Sequence, residues 1–277
     1  MGGNAVISID HLSCTYSGGV KALRDISLRF DRGRFTGIIG QNGAGKSTLL
    51  QHMIGLLKPG TGSVKVLGTD TRDITVSGLA ARVGFVLQNP DLQLFASSVK
   101  EEVGFGPKNL GMDREERDER IHRALKKVGL EQHLETFPLT LSKGDRAKVV
   151  IASVLAMDPE IIILDEPTSG QDHKGNIQIM NIARNLQEEG KTIIVVTHNM
   201  GLIARYAERI IVMSHGSVHM DGPVRDVFSR PKELLEAHMK PPHITRLGYG
   251  LRDCLGADFT CLKVEELGNA IILKASG

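Results

Sequence analysis

Tryptophan is absent from this chain of 277 residues, and aromatic side chains make up only 4% of it. So thin an aromatic complement disfavours a surface that stacks nucleic-acid bases. An excess of one charge is missing too. The 34 Lys and Arg against 32 Asp and Glu leave a formal net charge of +2, so no global basic field draws in a polyanion and no nucleic-acid partner is expected. The longest apolar runs, Val149 to Met157 and Ile161 to Leu164, fall far short of the roughly 20 residues that a bilayer crossing needs. The opening MGGNAVISID has no basic segment followed by a long apolar one, so no secretory signal is visible and a cytoplasmic protein is expected. Cysteine is scarce: Cys14, Cys254 and Cys261 share no metal-ligand spacing and read as reduced structural thiols.

What is present is ordinary globular material, 41% hydrophobic and 24% charged. Ala5 to Leu12 and Ile26 to Phe30 have strand length and apolar patterning, with Ser17-Gly18-Gly19 and Asp31-Arg32-Gly33 as turns, and read as an antiparallel opening. From Phe35 the pattern changes to short, fully apolar runs separated by helical stretches, the appearance of buried parallel strands in an α/β domain. Four such runs are Phe35 to Ile39, Val83 to Leu87, Ile161 to Leu164 and Thr192 to Val196. Each ends at a residue of chemical interest: Gly40, Gln88, Asp165-Glu166 and Thr197-His198. Ligands of open parallel sheets bind beyond the carboxyl ends of the strands, so these four ends are expected to converge. Asp113 to Val128 and Ser142 to Met157 read as helices inserted between the second and third runs. The dense mixed-sign run Asp113 to Arg120 reads as a solvated helix face. After Pro231 the chain is less regular, with Pro241-Pro242 interrupting it, which places a boundary near residue 230.

The segment Gly40-Gln41-Asn42-Gly43-Ala44-Gly45-Lys46-Ser47-Thr48 fits G-x-x-x-x-G-K-[ST]. Glycines let the backbone curl so that successive N–H groups face a phosphate; Lys46 supplies a point charge to the β and γ phosphates, and Ser47 offers a hydroxyl to Mg²⁺. Its context supports the motif: an apolar strand precedes it and a helix-like stretch, Lys46 to Leu57, follows. Asp165, at the tip of an apolar strand, can hold Mg²⁺ through water, and Glu166 beside it can orient and partly deprotonate an attacking water. His198 is placed to hydrogen-bond a γ-phosphate.

The order of these motifs resembles the ATP-binding cassette (ABC) ATPases over about residues 5 to 230. The resemblance implies an α/β fold: a P-loop ATPase core of mainly parallel sheet with an N-terminal antiparallel β part. It places an inserted helical subdomain at about 89–158, inside an ATPase domain at 1–230, and a small C-terminal extension at 231–277 for dimer contacts. It makes Lys46, Glu166 and His198 catalytic, and assigns the ATP contacts to Tyr16, the loop from Gly40 to Thr48, Gln88, Ser142, Gly144 and Asp172. Mg²⁺ falls to Ser47, Gln88 and Asp165. Gln88 resembles the Q-loop glutamine, Asp165 and Glu166 the Walker B pair, Asp172 in Ser169-Gly-Gln-Asp172 the D-loop, and His198 the switch histidine. Tyr16 stands where the family stacks an aromatic on adenine; read alone, it is equally a core or strand residue.

More narrowly, Gln88-Asn-Pro-Asp-Leu-Gln-Leu-Phe95 and the stretch from Glu101 to Gly111 resemble the ATPase subunits of energy-coupling factor (ECF) transporters, including the cobalt-type ones. That implies a second ATPase subunit, the same or different, and transmembrane subunits docked after the Q-loop. It also implies work at the cytoplasmic face of the cell membrane, as a peripheral subunit that powers import of cobalt, nickel or a vitamin. Leu92, Leu94, Phe95, Val99, Val103 and Phe105 serve equally as that docking surface or as helical core. A soluble ABC ATPase acting on nucleic acid or ribosomes is the alternative, but such members usually carry a coiled-coil insertion or two cassettes, and here there is one glycine loop and no sustained heptad. Leu141-Ser-Lys-Gly-Asp145 stands at the place of the family signature LSGGQ and departs from it twice. Ser142 and Asp145 sit like an N-cap and its capping-box partner, with Lys143 and Arg146 beside Asp145 to offset its charge.

Overall fold

A computed structural model of the chain describes residues 5–251 and 260–275. Alternating apolar residues make the opening a half-covered antiparallel pair, β1 (Ala5–Thr15) and β2 (Lys21–Asp31), with Ile9 opposite Leu28 and Leu12 opposite Ile26. Both strands outrun the apolar cores that signal them, because register shifts along β1 carry the pairing past polar residues out to Thr15 and Lys21. The chain then enters β3 (Phe35–Gly40), passes through the glycine loop into α1 (Lys46–Met53), and rejoins the first sheet as β4 (Thr61–Val66) and β5 (Thr69–Asp70), in the order β2-β1-β4-β5. α1 stops short of the expected Leu57 because Gly55 takes φ +72°, a left-handed conformation that ends the helix.

Beyond α2 (Val76–Ala80) lies β6 (Val83–Val86), and then three helices: α3 (Val99–Asn109), α4 (Arg114–Val128) and α5 (Lys143–Ala156). Each of the three starts at a side-chain cap, Ser98, Asp113 and Ser142 in turn, which satisfies an otherwise unpaired N–H. α4 buries Ile121, Ala124, Leu125 and Val128, and its charged face carries the i,i+4 pairs Glu116–Arg120 and Glu119–Arg123, as the mixed-sign run implies.

The chain returns to the sheet through β7 (Ile161–Asp165), α6 (His173–Glu188), β8 (Thr192–Val196), α7 (Met200–Tyr206), β9 (Arg209–Ser214) and β10 (Ser217–Pro223). The six-stranded sheet has the order β10-β9-β3-β8-β7-β6, with every neighbour parallel except β10. β9 and β10 add to the strands expected from the sequence; β10 alternates poorly, and its place comes from antiparallel pairing with β9. Ile162 and Leu164 of β7 pack with α5 to α7, whereas Ile161 and Ile163 join α1 and the first sheet in a second cluster. Burial on both faces is why the parallel strands read as unbroken apolar runs.

Gly84 of β6 lies where α5 crosses: a Cβ there would sit 2.1 Å from Val154 Cγ1, and a β-branched side chain has little freedom to yield. Gly84→Ala is therefore expected to lower stability by about 1–3 kcal/mol in denaturant titration.

After β10 come α8 (Val224–Phe228), α9 (Pro231–Glu236), α10 (His243–Gly250) and α11 (Val264–Ala275). Arg225 ties this end to α8, donating to the Thr260 carbonyl and, at 2.9 Å, to Glu266. Cys261 is buried, its thiol pushed up by burial and by Glu266, and Cys14 is half-buried; both are free thiols, while Cys254 lies outside the described residues. Among the described residues no helix is long and apolar enough to cross a membrane.

Candidate active site

The sheet order places β3, β8, β7 and β6 side by side, so the residues that follow their carboxyl ends meet in one cleft of about 610 Å³. Gly40, Gln41, Asn42, Lys46 and Ser47 form one wall; Asp165, Glu166, His198 and Gln88 form the other. Gly45 is the N-cap of α1 at φ +97°, and a Cβ on it would lie 2.6 Å from the Ala22 carbonyl, so only glycine closes this turn. No side chain caps α1. Its first N–H groups and the positive end of its dipole are thus left for an anion.

Lys46 donates to the carbonyls of Gly40 (2.7 Å) and Gln41 (2.9 Å), which lays its ammonium along the loop. Burial pushes its pKa down, with Glu166 and Asp165 pulling the other way. The Asp165 carboxyl is pushed up, first by burial and then by its neighbour Glu166, against the pull of Lys46. Two carboxylates beside a single lysine, on strand ends with little solvent, call for a further cation. Glu166 itself takes φ +48° and is anchored by its N–H to the Val196 carbonyl at 2.8 Å. Its side chain is 12% exposed, and Oε2 stands 2.9 Å from His198 Nδ1. Oε2 has no hydrogen-bond partner, so this buried oxygen keeps an open acceptor position. His198 is held between buried Thr197 and Asn199, the cap of α7, and its ring is 72% exposed.

Gln88 owes its place to two residues that sequence reading did not single out. Gln93 accepts from Leu87 N–H at 2.7 Å and donates to the Phe85 carbonyl at 3.1 Å, so its amide extends the edge of β6 and fixes the chain just before Gln88. Glu102, buried in the first turn of α3, accepts from the N–H groups of Phe95 and Ala96 and pins the next loop. Both lie within the stretches that carry the narrower resemblance, but residue type alone does not give their roles, because each acts through backbone groups that only the folded loop presents. A third residue, Met239, comes from the C-terminal segment to line the cleft.

The remaining expected residues stand elsewhere. Tyr16 is 43% exposed and sits over the start of α1, its hydroxyl 3.0 Å from Thr48 Oγ1, outside the walls named above. Ser142, Gly144 and Asp172 form a separate surface: Gln171 donates to the Lys143 carbonyl at 3.2 Å, and Asp172 caps α6 by accepting from Gly175 N–H at 2.7 Å. Ser142 caps α5 through Asp145 N–H, and the Asp145 carboxylate returns to the Ser142 hydroxyl at 2.8 Å rather than to its backbone. The expected offset of Asp145 by Lys143 and Arg146 is corrected here. Lys148 lies 3.2 Å from Asp145, Arg146 turns to Asp91 at 2.9 Å, and Lys143 lies over Gly170. Burial pushes the Asp145 carboxyl up, but Ser142, Lys148 and His133 more than compensate and hold it below its usual value. Since Lys148 already neutralises Asp145, Lys143→Gly with Asp145→Gln is expected to change the ATPase rate of the isolated chain by a gain of about tenfold or less, roughly 1.4 kcal/mol of barrier. Steady-state phosphate release checks this, and a slower double variant would show that Lys143 and Asp145 contribute as they stand.

The ABC transporter family model matches residues 23–169. A putative ABC transporter ATP-binding protein of Caldanaerobacter subterraneus subsp. tengcongensis is 43% identical over 96% of this chain but 46% of its own length, so the chain spans about half of that relative. In the same organism an energy-coupling factor transporter ATP-binding protein, EcfA2, is 41% identical over 89% of each chain. Among solved structures, cbiO1 from Clostridium perfringens, described as part of the ABC transporter complex cbiONQ, is 34% identical with a TM-score of 0.79 over 90% of this chain and 100% of that one.

Proposed function

The chain belongs to the ABC transporter family, and from that premise we propose that it is the ATP-hydrolysing subunit of an ECF-type importer for cobalt, nickel or a vitamin. The observation that carries the transport reading is the split fate of the apolar residues after Gln88. Leu94, Val99 and Val103 are buried in the core, whereas Leu92, Phe95 and Phe105 are 76%, 65% and 47% exposed. Phe95 and Phe105 pack edge to face with centroids 4.8 Å apart, held by the Glu102 clamp. An ordered, solvent-facing aromatic pair on the segment that also positions Gln88 suits a transmembrane partner whose movement must reach the nucleotide.

In this reading the N–H groups of the glycine loop and Lys46 hold the β and γ phosphates, and Tyr16 lies against the adenine. Glu166 orients the attacking water, and His198 contacts the γ-phosphate while steadying the Glu166 carboxylate. Ser47, Gln88 and Asp165 offer the hard oxygen donors that suit Mg²⁺, and the crowded carboxylates fit its charge. When bound, Mg²⁺ neutralises charge developing on the phosphate oxygens. Ser142, Gly144 and Asp172, absent from the chain's own cleft, are the surface lent to the nucleotide of a second ATPase subunit in a head-to-tail dimer. Residues 231–277 support that dimer, and the whole works peripherally at the cytoplasmic face of the membrane.

Purification of the full chain from detergent-solubilised membranes tests this. Integral membrane subunits are expected to co-purify and to be lost on Phe95→Asp with Phe105→Asp, while the ATPase of the isolated chain stays within about twofold of the unaltered protein. Retention of those subunits by the variant would remove the docking role from this patch. ATP-dependent uptake of cobalt, nickel or vitamins by the reconstituted complex identifies the cargo.

A further inference from the structure

A second cavity, of about 840 Å³, opens beside the nucleotide cleft and shares His198 and Met239 with it. One wall is the segment that carries His198 and the start of α7; the other is the strap between α9 and α10 with α10 itself. The strap is built for two sides. Met239, Pro241 and Pro242 are buried, while His238, Lys240 and His243 are exposed, and Arg246 adds a further exposed cation from the first turn of α10. No Asp or Glu lines this cavity among the described residues. Its lining therefore carries the fixed positive charges of Lys240 and Arg246 with three histidines, of which His198 already faces Glu166 at 2.9 Å while Lys240 and Arg246 have no carboxylate beside them in the lining. Met239, Ile244, Leu247, Leu262 and Val264 supply an apolar wall. A metal does not account for the histidines, because no group of three or more His, Cys, Asp or Glu side chains among the described residues could hold one. The groove runs on past Gly201 and Ile244 to Arg205 and Lys263, where Glu265 is the first carboxylate met.

We propose that this cavity is a binding site for an organic phosphate with an apolar body. Lys240 and Arg246 hold the phosphate, the apolar wall takes the body, and the ligand contacts His198 from the side opposite the nucleotide. The size suits a small molecule of nucleotide dimensions. Lys240 in the strap and Arg246 in α10 are exposed, so reversing their charge leaves the buried Met239, Pro241 and Pro242 in place.

The test titrates AMP and, separately, inorganic phosphate into the full chain by calorimetry. AMP carries the phosphate and an apolar ring but lacks the β and γ phosphates that the glycine loop addresses. Four proteins are compared: the unaltered chain, Lys46→Ala, Lys240→Glu with Arg246→Glu, and all three substitutions together. Site occupancy is expected to show as AMP binding that survives Lys46→Ala within threefold, weakens at least tenfold on the strap reversals in either background, and exceeds inorganic phosphate at least fivefold. Absence of AMP binding, loss on Lys46→Ala instead of on the strap reversals, or equal affinity for AMP and phosphate would each overturn the proposal. Because AMP binding is read without turnover, the ATPase reading stands or falls separately.

Discussion

Glu166→Gln is expected to retain ATP binding and to lose turnover by about 10²- to 10⁴-fold, the usual contribution of a positioned general base. The amide keeps the size of the side chain and its backbone anchor to Val196, so the backbone at φ +48° is not disturbed. What disappears is the carboxylate charge, and with it the oxygen that stands open 2.9 Å from His198. Chemistry stalls while the phosphate contacts persist, so the variant is also expected to accumulate a closed, ATP-bound dimer. Equilibrium nucleotide binding, single-turnover phosphate release and size-exclusion chromatography with ATP separate these effects. Turnover within threefold of the unaltered chain would exclude Glu166 from catalysis.

Lys46→Ala acts on the opposite wall and is expected to weaken ATP binding itself, by about 10- to 100-fold, the range of a lost charge-assisted hydrogen bond of about 1.5–3 kcal/mol. The ammonium donates to the Gly40 and Gln41 carbonyls, which orients it along the loop, and burial pushes its pKa down. The variant also removes the Lys46 charge that pulls the Asp165 carboxyl down, which pushes that carboxyl higher still. Mg²⁺ dependence is expected to persist, since Ser47, Gln88 and Asp165 are untouched. Calorimetric titration with ATP measures the loss, and undiminished affinity would contradict the phosphate-binding reading of the loop.

Much of this chain was legible as sequence because the relevant physics is local. A glycine loop between an apolar strand and a helix, and carboxylates at the tip of Ile161 to Leu164, announce themselves by residue type and spacing. Buried parallel strands are apolar on both faces and interrupt helical periodicity visibly. The caps Asp113 and Ser142 stand one residue ahead of α4 and α5, where a side-chain oxygen meets the first free N–H groups. The signature was legible as a departure from pattern, but its charge partner was not. Asp145 pairs with Lys148 one turn along α5 and Arg146 with Asp91 across the helical segment, a choice made by side-chain direction rather than by adjacency.

Sequence by itself therefore determined the α/β class, the order of the strands that carry chemistry and the residue types at their ends, all set by short-range pattern. Tertiary structure alone decided which of those ends are neighbours, through the strand order β3-β8-β7-β6. It separated Leu94, Val99 and Val103, which are core, from Leu92, Phe95 and Phe105, which are surface, a division invisible in composition because all six are equally apolar. It also brought Met239, His238, Lys240 and Arg246 from the C-terminal segment to within one cavity of His198. Contacts between distant segments depend on how whole layers pack, and no local pattern encodes a neighbour that arrives some forty residues later.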